Sequence, residues 1–212
     1  MAIFDEKVIA QLKELIGDLP KKVKIEFFRQ NACDTCDDTQ AFVKEIADLN
    51  PNIELSIHDL DEDAAVFQKY GIERTPAIVM LDGEGKDRGI RFFGIPAGYE
   101  INSFIASIRE LGGLEEPVPE NLLKRIQAID KDVHIQVFVT PTCPYCPGPV
   151  MIGHKLALLN PHIKADMVEA TTFPELSQKY RVRGVPKIVI NEDQEFVGSQ
   201  PLVKFLDVIE AL

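Results

Sequence analysis

Residues 133–146 read VHIQVFVTPTCPYC, and residues 23–36 read VKIEFFRQNACDTC. Each stretch is an apolar run that ends shortly before two cysteines spaced as Cys-x-x-Cys. The β-branched and aromatic residues of each run favour a strand. We therefore predict that each run is a strand leading into a helix that opens at the first cysteine.

The two stretches belong to an internal repeat. Residues 23–80, aligned without a gap on residues 133–190, give 16 identical positions out of 58 at a constant offset of 110. This period is far longer than that of a solenoid repeat, so it indicates duplication of a whole domain. Residues 112–117 combine glycine, proline and acidic residues as a linker does. We predict one unit at residues 1–117 and a second at residues 118–212.

Each unit is predicted to alternate strands and helices and to end with a hairpin and a helix. This order indicates an α/β fold in which each unit is a mixed sheet flanked by helices. Ile101 follows Pro76 by 25 positions, whereas Leu202 follows Pro186 by only 16. We interpret the extra length as a tolerated surface insertion. The first unit is predicted to have helices near 5–17, 33–49, 62–70 and 99–111, and strands near 22–29, 53–58, 77–81 and 88–93.

Composition excludes several classes of protein. The 212 residues carry 23 Lys and Arg against 34 Asp and Glu, a net charge of −11, and 45% of them are hydrophobic. This balance argues against disorder and against a surface that binds nucleic acid. No apolar run approaches the roughly 20 residues that span a bilayer, and no signal-peptide pattern opens the sequence. We expect a cytoplasmic protein that binds neither nucleic acid nor membrane.

The four cysteines indicate redox chemistry. Four are too few for a disulfide-stapled scaffold, and a staple between residues three apart gains little. The start of a helix stabilises a thiolate through its N–H groups and dipole, which lowers the pKa of a cysteine there. The first thiolate of a pair can attack a disulfide of a partner, and the second can then release that partner.

A proline accompanies each pair. Thr75-Pro76 and Val185-Pro186 each immediately precede an apolar run, and both prolines lie 43 positions after the first cysteine of their unit. Proline removes a donor from the strand ladder and can adopt the cis form at modest cost. The repeated position makes these prolines part of the predicted site.

Together these features resemble the thioredoxin–glutaredoxin superfamily, and the CPYC sequence is similar to that of glutaredoxins. Two such units in one chain resemble the protein disulfide oxidoreductases of hyperthermophilic archaea and bacteria. This resemblance implies thioredoxin folds, with Cys33 and Cys143 as nucleophiles and Cys36 and Cys146 as resolving residues. It implies no bound cofactor and no metal, protein substrates that carry thiols or disulfides, and a flavoprotein partner similar to thioredoxin reductase.

The same resemblance implies further site residues. Pro76 and Pro186 would be cis and would line a substrate groove together with Thr75 and Val185. Thioredoxins also carry a buried acid ahead of the cysteines, and Glu26 is the candidate proton acceptor in the first unit. The corresponding position of the second unit is a glutamine, and the chain lacks the tryptophan that usually precedes the first cysteine of a thioredoxin.

The two sites are not equivalent in charge. Asp34, Asp37 and Asp38 crowd the first pair, and negative charge disfavours a neighbouring thiolate. No acid is close in sequence to the second pair. We therefore predict a lower thiol pKa at Cys143 than at Cys33, a more oxidising second pair, and most of the exchange at that pair. We also expect the prolines that follow Cys146 to bend the helix.

Three other functions remain open. Two Cys-x-x-Cys pairs can hold a zinc ion, although 107 positions separate the pairs, against roughly 15–20 in a usual zinc ribbon. The chain also resembles the tandem domain of the alkyl hydroperoxide reductase flavoprotein, an electron relay to a peroxidase, but one unit of that domain lacks its cysteine pair. A chaperone-like protein that binds peptides in the proline-lined groove is the third alternative.

Overall fold

The computed structural model describes residues 3–212 and confirms the predicted order of elements. A turn of 3-10 helix at Gly98–Glu100 leads into the fourth α-helix. The helices are α1 (Glu6–Ile16), α2 (Cys36–Ala47), α3 (Ala64–Tyr70), α4 (Ile101–Leu111), α5 (Glu120–Gln127), α6 (Pro147–Leu159), α7 (Pro174–Lys179) and α8 (Leu202–Glu210). The strands are β1 (Val23–Arg29), β2 (Ile53–Asp59), β3 (Ala77–Asp82), β4 (Asp87–Phe93), β5 (Val133–Val139), β6 (Ile163–Glu169), β7 (Lys187–Ile190) and β8 (Gln194–Val197).

The helices after the cysteine pairs begin later than predicted. α2 begins at Cys36 instead of Cys33, because residues 33–36 form a turn in which the Cys36 N–H points to the Cys33 carbonyl at 3.4 Å. α6 begins at Pro147, so the expectation that prolines bend it was wrong. Pro147 and Pro149 lie in the first turn, where a helix does not need their N–H groups.

The strands of both units join into one eight-stranded sheet. Its order is β2-β1-β3-β4-β6-β5-β7-β8, so the two units lie head to tail with the same internal order. The joint is a parallel pairing of β4 with β6, in register from Ile90 opposite Ala165 to Phe93 opposite Val168. The units are therefore not two independent sheets, a feature that the repeat alone did not predict.

The extra length of the first unit lies in its hairpin and in the connection that follows β4. β4 has seven residues, whereas its counterpart β8 has four, and seven residues instead of four connect it to the following helix. The β4 residues that pair with β6, Ile90 to Phe93, hold the same register on β3 as Gln194 to Val197 hold on β7. The joint therefore uses residues that both units have. The interpretation of the extra length as a tolerated surface insertion stays a prediction.

Helices cover both faces of the sheet. α3 and α7 pack on one face around Phe28 and Phe138, and the other six helices pack on the opposite face. α4 ends at Leu111 and α5 begins at Glu120, so the chain passes from one unit to the other between these helices. The hydrophobic core on the face with six helices is continuous across both units.

A buried histidine of the second unit makes two hydrogen bonds to the first unit, next to the pairing of β4 with β6. His154 on α6 is 3% exposed, and its ring lies 4.7 Å from that of Phe92. Its Nε2 lies 3.1 Å from the Arg91 carbonyl oxygen, which can only accept, so Nε2 carries the proton. Nδ1 then accepts from the Ser107 hydroxyl on α4 at 3.1 Å. Burial lowers the pKa of His154 from 6.5 to about 4, so the ring is neutral at neutral pH.

This pKa predicts acid sensitivity. Between pH 6.5 and pH 4 the unfolded chain binds a proton at His154 that the folded chain does not, so folding stability falls with falling pH, by up to about 3 kcal/mol. His154→Asn should be destabilised at pH 8 and should lack this part of the acid-induced loss. Denaturant unfolding of both proteins from pH 8 to pH 4 measures the difference, and a constant gap between them would contradict the assignment.

Candidate functional site

Both cysteine pairs form disulfides at the carboxyl end of a central strand. Cys33 is bonded to Cys36 and Cys143 to Cys146, with Cα atoms 5.4 Å and 5.5 Å apart. In each unit the first cysteine lies in the turn ahead of the helix. The second begins or caps the helix and is almost completely buried. The helix N-terminus therefore faces the sulfurs, as a stabilised thiolate requires.

The first site is polar. Arg29 at the end of β1 pairs with Asp37 in the first turn of α2 at 3.0 Å and donates to the Gln40 side chain. Asn31 in the loop ahead of Cys33 donates to Asp61 at 2.8 Å. The arginine offsets part of the acidic charge that the sequence places around this site.

The second site is apolar and more enclosed. Cys143 is 8% exposed, whereas Tyr145, between the two cysteines, is 70% exposed. Prolines at positions 147 and 149 remove two N–H groups from the first turn of α6, so this helix offers fewer donors to a thiolate than α2 does. The absence of first-turn acids acts in the opposite direction.

Both prolines have the cis conformation that the resemblance implies. The Thr75-Pro76 and Val185-Pro186 peptide bonds are both cis. The carbonyl of each proline accepts an N–H from the glycine that ends the hairpin of its unit, at 3.0 Å from Gly94 in the first unit and at 2.8 Å in the second. The two units thus hold their prolines in the same way. The Thr75 hydroxyl is buried without a hydrogen-bond partner in the described part of the chain.

A segment of the first unit covers the second site. Tyr99 donates its backbone N–H to the carbonyl of Pro141, two residues before Cys143, at 2.9 Å. Gly98 permits this approach, because a Cβ there would lie 2.2 Å from the same carbonyl oxygen and the residue has a φ of +61°. The longer connection after β4 therefore forms one wall of the second active site.

This wall carries a buried carboxyl group. α4 and α6 run side by side in the same direction: Ser107 contacts His154, 47 positions on, and Glu110 contacts Lys155, 45 positions on. Glu100 comes just before α4 and Cys146 just before α6, so both lie at the same end of this helix pair. Sequence reasoning missed Glu100, which lies just before α4 and whose counterpart before α8 in the second unit is Pro201.

The environment of Glu100 favours a proton acceptor. The residue is 1% exposed, and burial raises the pKa of its carboxyl from 4.5 to about 7, although a hydrogen bond from the Ser103 hydroxyl to Oε2 opposes the rise. Its Oε1 has no hydrogen-bond partner within residues 3–212. A carboxyl group with this pKa can accept and return a proton near neutral pH.

The structure places Glu26 away from the cysteines. Glu26 lies on the face of β1 that it shares with Phe28 and α3, whereas α2, which starts at Cys36, packs on the opposite face. Its Oε2 lies 2.6 Å from Nε2 of His58 on β2. The carboxylate is thus engaged by a histidine, and no contact in the described chain supports its predicted role at Cys36.

The side chains of residues 3–212 do not assemble a metal site. No set of three or more His, Cys, Asp or Glu side chains comes together there in a way that could hold a metal ion. The four cysteines therefore do not form the single four-sulfur cluster that the zinc alternative needs. No helix in the same described range is long and apolar enough to cross a membrane.

Two thioredoxin-type units, each with a Cys-x-x-Cys disulfide ahead of a helix and a cis-proline, define a tandem thioredoxin-fold protein. The thioredoxin domain family matches residues 21–106 and 133–210. The chain belongs to this family.

Similar proteins fall into two groups. The structure of a protein disulfide oxidoreductase from Aeropyrum pernix is 30% identical, with a TM-score of 0.90 over 99% of this chain and 94% of that one. The NTD_N/C domain of alkyl hydroperoxide reductase AhpF from Enterococcus faecalis is 33% identical, with a TM-score of 0.91 over 97% and 99%. These matches confirm the predicted fold and the resemblance to protein disulfide oxidoreductases.

Full-length relatives are longer than this chain. The alkyl hydroperoxide reductase AhpF of Staphylococcus aureus is 25% identical over 185 residues, which are 87% of this chain and 33% of that protein. The chain thus spans about a third of the length of the curated relatives it matches.

Proposed function

We propose that the chain exchanges disulfides with protein substrates and that the Cys143–Cys146 pair performs most of the exchange. The observation that carries the proposal is the coincidence at one place of a disulfide, a helix N-terminus, a cis-proline and a buried carboxyl group. No bound cofactor takes part, because the sulfurs themselves carry the electrons. The cytoplasmic location stays a prediction.

The proposed reaction has two steps. The Cys143 thiolate attacks one sulfur of a substrate disulfide, forms a mixed disulfide and releases the other substrate sulfur as a thiolate. Glu100 accepts the proton of Cys146, whose thiolate then attacks Sγ of Cys143 and releases the second substrate sulfur. The substrate gains two electrons, and the enzyme closes the Cys143–Cys146 disulfide. The same steps in reverse oxidise a substrate dithiol.

Two differences support the ranking of the pairs. Within residues 3–212, a buried carboxyl group of raised pKa lies at the helix end that carries the second pair, and the first unit supplies it. The second site also offers exposed aromatic surface at Tyr145, whereas acidic side chains surround the first. We further propose that the segments Thr75-Pro76 and Val185-Pro186 line the substrate grooves of their units, and that a flavoprotein reductase restores the dithiols.

An electron relay to a peroxidase is the second candidate. The similarity to the alkyl hydroperoxide reductase AhpF favours it. In that role the second pair would receive electrons from a flavoprotein and pass them to the disulfide of a peroxidase. The same sulfur chemistry serves both candidates, so they differ only in the protein that carries the accepting disulfide.

Reduction of insulin by dithiothreitol tests the proposed function. The wild-type protein should accelerate the precipitation of the reduced insulin chains, because it accepts electrons from the small thiol and passes them to insulin. The Cys33→Ser/Cys143→Ser double variant, which keeps both resolving cysteines, should be inactive. A wild-type protein that reduces a peroxidase disulfide quickly but does not accelerate insulin reduction would instead favour the relay.

A further inference from the structure

An apolar groove opens on the sheet face that carries six helices, between α4 and α6. We call it the α4–α6 groove, and its cavity volume is about 1230 Å³. Leu15 on α1 and Met151 on α6 line it and are 54% and 38% exposed, which leaves large apolar side chains open to solvent. The other residues used below are Ile105 and Ala106 on α4, Gly148 and Ile152 on α6, and Val118 ahead of α5.

One end of the groove lies at the second active site. Gly148 lines the groove and follows Cys146 by two residues. Asn102 lines the same end and donates its side-chain amide to the Tyr99 carbonyl at 2.9 Å. Tyr99 in turn is hydrogen-bonded to the loop that carries Cys143. One end of the groove therefore lies beside the segments that carry the second cysteine pair.

In the first unit, residues of the chain itself cover the equivalent face of α2. There, Phe4 packs on Phe42 of α2 with ring centroids 5.7 Å apart. The Glu45 carboxylate on α2 accepts the backbone N–H groups of Ile3 and Phe4 at 2.6 Å and 3.0 Å. A short segment with an aromatic side chain thus covers this face of α2.

The counterpart face of α6 is covered only in part, by the segment ahead of α5, whose Glu116 carbonyl accepts a hydrogen bond from Lys155 at 2.6 Å. At the offset of 110, Ile152 and Lys155 correspond to Phe42 and Glu45, and both line the groove. Phe4 lies two residues before α1, and the residue two positions before α5 is Val118. Because valine is much smaller than phenylalanine, Val118 lines the groove where an aromatic ring would fill it.

We propose that the α4–α6 groove binds an extended, apolar segment of a non-native protein substrate while Cys143 exchanges a disulfide of that substrate. The inference rests on the proposed function and names its substrate class. The groove follows α6 from Gly148 to Leu158, about 15 Å at the helix rise per residue, which is the length of four or five extended residues. Met151 suits such a partner, since methionine adapts to side chains of different shape.

Binding of a cysteine-free peptide tests the groove apart from the chemistry. The probe is a fluorescein-labelled ten-residue peptide with alternating Phe and Leu, and its control replaces these residues with Ser and Asn. The oxidised wild-type protein should bind the apolar peptide and not the polar one. Met151→Glu should weaken binding about tenfold or more. Ile57→Glu, at a side chain of similar exposure (39%) on the edge strand β2, should change it less than twofold.

Absent binding, or equal weakening by both variants, would overturn the proposal. Self-association of the wild-type protein in sedimentation, abolished by Met151→Glu, would show that a second copy fills the groove and would also overturn it.

Kinetics separate the groove from the proposed function. With the apolar peptide carrying an internal disulfide, the ratio of kcat/KM for the peptide to that for oxidised glutathione should fall about tenfold in Met151→Glu. A wild-type protein that reacts with neither disulfide would refute the proposed function itself. Normal reaction with glutathione and an unchanged ratio in Met151→Glu would refute the groove alone.

Discussion

Replacing Cys143 with serine is expected to lower insulin reduction by at least about 100-fold, whereas Cys33→Ser should keep activity within about threefold of the wild type. Serine cannot form the mixed disulfide, so any remaining turnover after Cys143→Ser passes through the first pair. That pair faces acidic side chains, and the buried carboxyl group of raised pKa lies at the helix end that carries the second pair.

The resolving cysteines supply the matched controls. Cys146→Ser should trap the substrate as a mixed disulfide on Cys143, which mass spectrometry detects, whereas Cys36→Ser should trap little. Nearly full activity in Cys143→Ser, combined with its loss in Cys33→Ser, would reverse the ranking of the two pairs.

Glu100→Gln is expected to slow the release of substrate from the mixed disulfide by about 100-fold at pH 7, because an amide cannot accept the proton of Cys146. In the wild type, the rate of this step should rise with pH through about 7, the pKa of the Glu100 carboxyl. In the variant the rise should move toward the ordinary range of thiols, near about 8.5. Single-turnover kinetics from pH 5 to pH 9 measure both effects.

Glu26→Gln is the matched control, since Glu26 lies on the opposite face of the sheet. It should leave the pH profile of the second pair unchanged. A wild-type profile without an inflection near pH 7, or the same shift in both variants, would contradict the role of Glu100.

Glu100 and His154 should also affect stability in opposite directions. The folded state retains the Glu100 proton up to about pH 7, whereas the unfolded chain loses it near pH 4.5. Stability therefore falls as the pH rises through this window, by up to about 3 kcal/mol. Because His154 gains stability over nearly the same window, the two contributions cancel in part in the wild type. In Glu100→Gln, folding stability should rise as the pH rises, because only the contribution of His154 remains. In His154→Asn, folding stability should fall as the pH rises, because only the contribution of the Glu100 carboxyl remains.

The local patterns of the sequence predict most of each unit. Strands such as VHIQVFV and the repeated cysteine and proline positions indicate the fold, the two redox pairs and the cis-prolines, because each depends on short stretches of chain. The start of α2 was placed three residues too early. The turn closed by the Cys33–Cys36 disulfide delays the helix, and cysteine spacing alone does not show where a turn ends and a helix begins.

The relation between the units could not be predicted in the same way. The pairing of β4 with β6 joins strands about 75 positions apart, and nothing in the pattern of either strand names its neighbour. In the sequence Glu100 is an ordinary acidic residue ahead of an amphipathic helix, and nothing next to it in the sequence indicates that it is buried. The one available signal in the sequence was the longer connection between β4 and α4, which ends at Glu100.

The most direct test of the central claim is a redox titration of each pair in a variant that retains only that pair. The Cys33→Ser/Cys36→Ser and Cys143→Ser/Cys146→Ser proteins would be equilibrated with reduced and oxidised dithiothreitol or glutathione, and their free thiols alkylated and counted by mass spectrometry. Each pair should switch reversibly between dithiol and disulfide by two electrons, with a less negative potential for Cys143–Cys146. Pairs that stay unchanged across the whole range of buffers would contradict the assignment of this chain to disulfide exchange.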